Sequence, residues 1–158
     1  MPTDTVITAD SGAHRILVSQ MWDCPNPRLM LQSPGLCTMA CAMPLAARAK
    51  IGRPQAPVLA FVGDAGLEMG AGELATLTAQ NLTILFCVLV DHSLSLIEMK
   101  QRGSQRPNLG VDFGGAGTDF AALACAFGGH GVDVDNSAAL AAEARAPALA
   151  EWRGLLAA

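Results

Sequence analysis

The stretch PVLAFVGDAGLEMGAGELATLTAQNLTILFCVLVD, residues 57–91, decides the fold. Residues 57–62 form a continuous apolar run that stops at Gly63, and residues 83–90 form a second run that stops at Asp91. Uninterrupted apolar strands are typical of parallel sheets that are covered on both faces. Between them, apolar residues recur at helical spacing and predict one helix that ends near Asn81. A strand–helix–strand order of this kind predicts an α/β fold.

The same alternation continues on both sides of this stretch. Upstream, the pattern predicts a strand at 6–9, a turn at 10–14, a helix to about residue 22, a short strand at 29–31 and a helix at 38–50 with Thr38 as N-cap, Gly52 as terminator and a kink at Pro44. Downstream, it predicts a helix at 94–101, a glycine-rich loop at 102–117, a helix at 120–127, a last strand at 131–134 and a helix at 138–146 that Pro147 ends. Residues 147–158 give no clear strand signal.

Length and composition fit one domain. The chain has 158 residues, of which 51% are hydrophobic, and its mean hydropathy is +0.35. A chain of this size can bury a substantial core, and no internal repeat or second core is visible. We therefore expect a single domain over residues 1–158, with a doubly wound, mostly parallel sheet and helices on both faces.

Charge and cysteine usage exclude some partners. The net charge is −4 and the basic residues are scattered, which argues against nucleic acid as a partner. The longest strongly apolar run, residues 82–90, is far shorter than the ~20 residues that cross a bilayer, so no membrane segment is expected.

The five cysteines are odd in number and lack metal-ligand spacing. We interpret them as structural thiols in a reducing cytoplasm.

Two acidic residues stand where buried strands stop. Asp64 follows the first run of the opening stretch and Asp91 follows the second. In open α/β sheets, ligands bind outside the carboxyl ends of the strands. Two carboxylates there suit Mg²⁺ shared with phosphate oxygens, and Gly63 and Gly66 would let a phosphate approach the backbone. The alternative is that each Asp only caps a helix.

At this point the residues resemble a known family, the thiamine diphosphate enzymes of the acetolactate synthase, pyruvate decarboxylase and benzoylformate decarboxylase type. The family's cofactor motif opens with Gly-Asp-Gly and closes about two dozen residues later with Asn. Gly63-Asp64-Ala65 stands at the opening and Asp91 at the closing position. The resemblance extends over DSGAH at 10–14, SPGLCTMACAMPLAARAKIGRP at 33–54, and residues 57–101, which end in VDHSLSLIEMKQ.

The resemblance implies a role for each matching residue. Asp64 and Asp91 would bind Mg²⁺ through their side chains, and Ser93 through its backbone carbonyl. Met39 would lie under the bent cofactor, between its pyrimidine and thiazolium rings, while the carbonyl of Cys37 faces the 4′-amino group. The diphosphate would be held by one further set of residues: Ser11, Gly12, Ala13, His14, Ala65 and Gly66.

Several of these residues also have a plain structural interpretation. Met39 could be a core filler, and His14 could be a surface histidine or a hydrogen-bonded one. Four other polar residues are interpreted as structural or as part of a solvated helix face: Glu73, His92, Glu98 and Lys100.

Two positions depart from the family's pattern. Ala65 replaces the usual glycine, which a turn tolerates when φ is negative. Asp91 replaces Asn and adds a negative charge beside a diphosphate that carries about −3. We expect that this carboxylate tightens metal binding and opposes the diphosphate when metal is absent, so that cofactor binding depends more steeply on Mg²⁺ than in an Asp91→Asn variant.

In the resembling enzymes, a Glu on a separate pyrimidine-binding domain activates the cofactor, and nothing in this sequence supplies that domain. The resemblance covers only the C-terminal third of a full-length family member. Three hypotheses stay open. In the first, the chain is the cofactor-binding subunit of a two-chain 2-oxo acid decarboxylase or carboligase, like the small subunit of sulfopyruvate decarboxylases. In the second, it is a truncated acetolactate-synthase-like enzyme. In the third, it is a non-catalytic magnesium-diphosphate-binding module. A homo- or hetero-oligomer is expected, and the isolated chain should expose apolar surface and self-associate.

Overall fold

A six-stranded parallel sheet forms the centre of the computed structural model, which describes residues 1–113, 117–143 and 154–157. The strand order is β2-β1-β3-β4-β6-β5. The strands are β1 (Val6–Ala9), β2 (Met30–Leu31), β3 (Val58–Gly63), β4 (Leu85–Leu89), β5 (His130–Asp133) and β6 (Gly154–Ala157). The helices are α1 (Ala13–Met21), α2 (Ala42–Gly52), α3 (Asp64–Gly70), α4 (Glu73–Ala79), α5 (Ser95–Gly103), α6 (Phe120–Ala126) and α7 (Ser137–Glu143).

Helices cover the sheet on both faces, as expected from the uninterrupted apolar strands. On one face, Val62 of β3 and Val88 of β4 belong to a core cluster with Met43 of α2, Leu74 of α4 and Phe120 of α6. On the opposite face, Trp22 after α1 packs edge-on against Phe61, with ring centroids 6.1 Å apart. Leu85 packs there with Val134 and with Ala139 of α7. The expected doubly wound α/β domain is confirmed.

The register brings the ends of three strands to the same edge of the sheet. Gly63 of β3 lies beside Leu89 of β4, and Ala9 of β1 lies beside Phe61 of β3. Because all three strands are parallel, the segments that follow them leave the sheet together. These segments begin with Asp10, Asp64 and Val90, one residue before Asp91.

The helices differ from the predictions in detail. Thr38 is not the N-cap of α2, because turn residues 39–41 precede the helix and Cys41 is its N-cap. Pro44 lies in the first turn of α2, where its missing N–H costs no intrahelical hydrogen bond, and the helix runs on to Gly52. The single helix expected between β3 and β4 is divided into two helices, α3 and α4, which are separated by Ala71 and Gly72.

The C-terminal strand is the other difference. Residues 131–134 were predicted as the last strand, whereas β6 follows later in the chain and pairs between β4 and β5. The predicted end of the last helix at Pro147 lies outside the described residues. Within the described ranges, no helix is long and apolar enough to cross a membrane.

Candidate functional site

A cavity of about 350 Å³ lies at the edge where β1, β3 and β4 end. Its lining combines the loops after these three strands with the segment before α2 and the start of α5. All twelve residues that the sequence analysis assigned to the cofactor line this one cavity: Ser11, Gly12, Ala13, His14, Cys37, Met39, Gly63, Asp64, Ala65, Gly66, Asp91 and Ser93. Six further residues, mostly apolar, complete the lining: Leu17, Leu89, Leu94, Ser95, Leu96 and Ile97.

Asp64 is the buried anchor of this cavity, since only 5% of its surface is exposed. Its Oδ1 accepts a hydrogen bond from the amide of Ala65 at 2.7 Å. Its Oδ2 accepts from the amide of His92 at 2.8 Å and, more weakly, from that of Asp91 at 3.3 Å. Asp64 therefore ties the end of β3 to the end of β4. One acceptor position on Oδ1 is left for a cation, because each carboxylate oxygen has two lone pairs.

Asp91 is exposed, in contrast to Asp64, and both of its carboxylate oxygens are used locally. Oδ1 accepts from the amide of Ser93 at 3.1 Å, and Oδ2 accepts from the hydroxyl of Ser95 at the start of α5. Each oxygen keeps a second lone pair. Within the described residues, no group of three or more His, Cys, Asp or Glu side chains could hold a metal. A cation here would need phosphate, water or backbone oxygens beside the two aspartates, which suits Mg²⁺.

His14 presents an unsatisfied nitrogen to the site. Its Nε2 is buried and has no hydrogen-bond partner in the described part of the chain. Burial lowers the pKa of the imidazole, although the carboxylates of Asp10, Asp91 and Asp64 act in the opposite direction. A buried polar atom without a partner is costly, and an anionic oxygen in the cavity would satisfy the Nε2–H of a neutral imidazole. The interpretation of His14 as a plain surface histidine does not fit this burial.

Glycines keep the His14 ring and the strand ends in close contact. A Cβ at Gly12 would meet the ring at 2.5 Å, and one at Gly63 would meet it at 3.4 Å. A Cβ at Gly66 would collide with the carboxylate of Asp10. The packing of protein side chains is thus one reason for these glycines, in addition to the expected approach of a phosphate. Ala65 lies in the first turn of α3, where φ is negative, as this substitution requires.

The segment that carries Cys37 and Met39 has an unusual backbone. Cys37 and Ala40 both have positive φ, 49° and 64°, a conformation that L-residues other than glycine seldom adopt. The amides of Ala40 and Cys41 both donate to the carboxylate of Asp10. Burial, with a smaller contribution from Asp10, raises the pKa of the Cys41 thiol to about 11. This thiol is therefore protonated at neutral pH and is not a nucleophile.

Sequence reasoning gave no role to two polar residues that support the lining of the cavity. Asp10, included only in a turn and in the matching stretch 10–14, is fully buried; its position directly after an apolar strand, like that of Asp64 and Asp91, was a usable signal. Glu98, placed on a solvated helix face, instead accepts from the hydroxyl of Ser93 at 2.8 Å and from Asn108 at 2.9 Å, and it pairs with Arg102. The described cysteines make no disulfide, in agreement with their interpretation as free thiols.

Comparison with known proteins identifies the family. The family model "Thiamine pyrophosphate enzyme, C-terminal TPP binding domain" matches residues 10–153. The acetolactate synthase large subunit of Lactococcus lactis is 32% identical over 138 residues, which cover 87% of this chain and 24% of that protein. A probable acetolactate synthase large subunit of Methanococcus aeolicus is 32% identical over 79% of this chain and 21% of its own length. The isozyme 1 large subunit of Escherichia coli is 29% identical over 85% of this chain and 24% of its own length.

The chain thus spans about a quarter of the length of these relatives. The cofactor that the match implies is thiamine diphosphate, with Mg²⁺ as usual for the family. The cavity offers what such a group needs: two carboxylates with open acceptor positions, a buried nitrogen without a partner, and glycines at the strand ends. The chain belongs to the thiamine pyrophosphate enzyme family and corresponds to its C-terminal TPP-binding domain, in the branch that includes the acetolactate synthase large subunits.

Proposed function

We propose that this chain holds the diphosphate and Mg²⁺ end of thiamine diphosphate for an acetolactate-synthase-like decarboxylase or carboligase that acts on a 2-oxo acid. The observation that carries the proposal is the single cavity at the ends of β1, β3 and β4, which collects every residue expected to contact the cofactor. Ligands of open α/β sheets bind at this edge.

In this proposal, the side chains of Asp64 and Asp91 and the backbone carbonyl of Ser93 would hold the cation. The burial of Asp64 and its three amide partners fix its carboxylate before any metal arrives. Among the described residues, the Asp91 carboxylate accepts hydrogen bonds from Ser93 and Ser95 of its own segment, so it can turn toward the ion at little cost. Coordination by oxygen ligands of this kind is what Mg²⁺ prefers.

The diphosphate would be held by the loop of Ser11, Gly12, Ala13 and His14 together with Ala65 and Gly66. His14 would donate from Nε2 to a phosphate oxygen, which satisfies its buried nitrogen. Met39 would support the bend of the cofactor, and Cys37 would face its pyrimidine ring. When bound, thiamine diphosphate would supply the nucleophilic chemistry toward the carbonyl of the 2-oxo acid, and the protein would supply orientation and charge neutralisation.

A pyrimidine-binding domain, with the activating Glu, is the proposed partner, in a homo- or hetero-oligomer in the cytoplasm. Apolar side chains at the rim of the cavity support a docking face. Leu17 of α1 is 55% exposed and Ile97 of α5 is 46% exposed, although both line the cavity, and Met21 of α1 is 80% exposed. Exposed apolar groups of this kind are typical of interaction surfaces. We expect the isolated chain to self-associate, and light scattering that finds a monodisperse monomer would contradict this part of the proposal.

Calorimetric titration of the chain with thiamine diphosphate, with and without Mg²⁺, tests cofactor binding directly. Binding that requires both Mg²⁺ and Asp64 is expected. A pull-down from the source cell, followed by assay of pyruvate decarboxylation with thiamine diphosphate and Mg²⁺, then tests the reaction. Failure to bind thiamine diphosphate under any of these conditions would remove the proposed function.

A further inference from the structure

Asp10, at the end of β1, is a fully buried carboxylate to which the proposed function gives no role. Its own amide donates to the carbonyl of Phe61 at 2.9 Å, which fixes its backbone to β3. Within the described ranges its side chain forms no ion pair. A buried charge is tolerated only when hydrogen bonds compensate for its lost hydration, so the partners of this carboxylate are informative.

Two of those partners are consecutive backbone amides. Oδ2 accepts from Ala40 at 2.7 Å, and Oδ1 accepts from Cys41 at 3.0 Å. Cys41 is the N-cap of α2, and its own side chain makes no capping hydrogen bond. Asp10 therefore caps this eleven-residue helix from another element, where a negative charge also interacts favourably with the helix dipole.

The capped turn, residues 39–41, directly carries Met39. Ala40 has a φ of 64°, which costs free energy for a residue with a Cβ. The short hydrogen bond between the Ala40 amide and Asp10 offsets this cost. Without it, Ala40 would relax toward negative φ, and Met39 would leave its place in the cavity lining.

The same carboxylate also lies against the first turn of α3. The Cα of Gly66 in this turn lies so close to Oδ2 of Asp10 that an added Cβ would collide with it. Asp10 itself opens the loop of Ser11 to His14. The Asp10 side chain thus contacts the Met39 turn and the first turn of α3, and its backbone continues directly into the segment of Ser11 to His14.

We propose that Asp10 is a positioning residue that fixes the Met39 turn relative to the diphosphate loops, and so sets the preference of the cavity for the complete, bent cofactor over its diphosphate part alone. This inference rests on the proposed function. Asp10 does not touch the cofactor, since it lies beneath the lining and acts through Ala40, Cys41 and Gly66.

Amide hydrogen exchange, followed by NMR on the full chain, tests the structural half without any ligand. Asp10→Asn replaces one acceptor oxygen with a donor that faces an amide, so exchange at Ala40 and Cys41 should accelerate about tenfold or more. The matched control is Thr8→Val, because the Thr8 hydroxyl joins β1 to the same helix through the carbonyl of Ala42 at 2.9 Å but does not touch the turn. The control should leave exchange at Ala40 and Cys41 unchanged. Equal protection of these amides in wild type and Asp10→Asn would overturn the inference.

Calorimetric affinities for thiamine diphosphate and for inorganic pyrophosphate, both with saturating Mg²⁺, test the functional half. A purely structural defect lowers both affinities by the same factor, whereas a displaced Met39 turn lowers only that for thiamine diphosphate. We expect Asp10→Asn to reduce the ratio of the two affinities at least fivefold and Thr8→Val to preserve it. An unchanged ratio in Asp10→Asn would contradict the proposal.

Ala40→Gly provides a second route. Glycine adopts positive φ without strain, so the double variant Asp10→Asn, Ala40→Gly should recover part of the lost ratio, and it serves as the test protein if Asp10→Asn alone does not fold. If the double variant folds but does not recover the affinity ratio, the Met39 turn is not the means by which Asp10 acts on the cavity. Wild-type protein that binds neither ligand contradicts the proposed function instead, and the exchange result still decides whether Asp10 fixes the turn.

Discussion

Asp64 and Asp91 follow neighbouring parallel strands, yet their surroundings differ sharply. Asp64 is buried and accepts three backbone amides, two of them from the end of β4. Asp91 is exposed, and its partners are the Ser93 amide and the Ser95 hydroxyl of its own segment. The Asp64 carboxylate is therefore preorganised by the fold, whereas the Asp91 carboxylate has partners only within its own segment and can adjust to a ligand. In this account, Asp64 determines the affinity for thiamine diphosphate, and Asp91 determines how steeply that affinity depends on Mg²⁺.

The substitution Asp64→Asn should have the largest effect. It removes the charge that attracts the cation and leaves an amide group where backbone N–H donors need an acceptor. We expect Mg²⁺-dependent binding of thiamine diphosphate to fall more than a hundredfold. The free energy of unfolding should fall by ~1.5–3 kcal/mol, the usual value for hydrogen bonds to a charged group. Calorimetry and urea denaturation measure the two effects, and wild-type stability in this variant would contradict the anchoring role of Asp64.

The substitution Asp91→Asn should separate binding from stability. Because Asp91 is exposed, the free energy of unfolding should change by no more than ~0.5 kcal/mol. Removal of its charge should make thiamine diphosphate binding less steeply dependent on Mg²⁺, since the diphosphate is then repelled less in the absence of metal. Titrations at several Mg²⁺ concentrations check this, and identical metal dependence in both proteins would refute the role of the extra carboxylate.

Lowering the pH should reduce the free energy of unfolding through protonation of His14. Because burial lowers the pKa of folded His14, the unfolded chain takes up a proton first as the pH falls through ~6.5. Stability contributed by neutral His14 is thus present above this pH and is lost below it. Thermal unfolding of wild type and His14→Gln between pH 7.5 and 5.5 should show the steeper fall of Tm in the wild type. Parallel curves would show that His14 does not titrate in this way.

Ser95→Ala should give the smallest effect. It removes one of the two hydrogen bonds of the Asp91 carboxylate while the Ser93 amide still holds the other oxygen. We expect an approximately threefold change in the Mg²⁺ concentration at half-saturation, and stability within ~0.5 kcal/mol of the wild type. If this variant proved as damaging as Asp64→Asn, the contrast between the two strand ends would be lost.

Local patterns predicted most of the strands, because an apolar run is a signal within the strand itself. The apolar runs of β3 and β4 end at Gly63 and near Asp91, so the parallel order brought the motif residues to one edge. Thr38 failed as an N-cap because a distant side chain, Asp10, captures the amides of Ala40 and Cys41. The strand β6 was missed because its four residues gain their partners only from β4 and β5. Interactions between remote segments could not be predicted, because hydrophobic periodicity reports only on residues within one helix or strand.

The central claim is that Asp64 and Asp91 bind the same divalent ion. Crystals of the chain grown with thiamine diphosphate and Mn²⁺ test it, because the anomalous signal of manganese locates the ion. The account predicts one peak within ~2.2 Å of a carboxylate oxygen of each aspartate, beside the diphosphate. A peak bound to only one of them would contradict it, as would carboxylate oxygens more than roughly 8 Å apart, since two ~2.1 Å bonds to a common ion reach only about half of that distance.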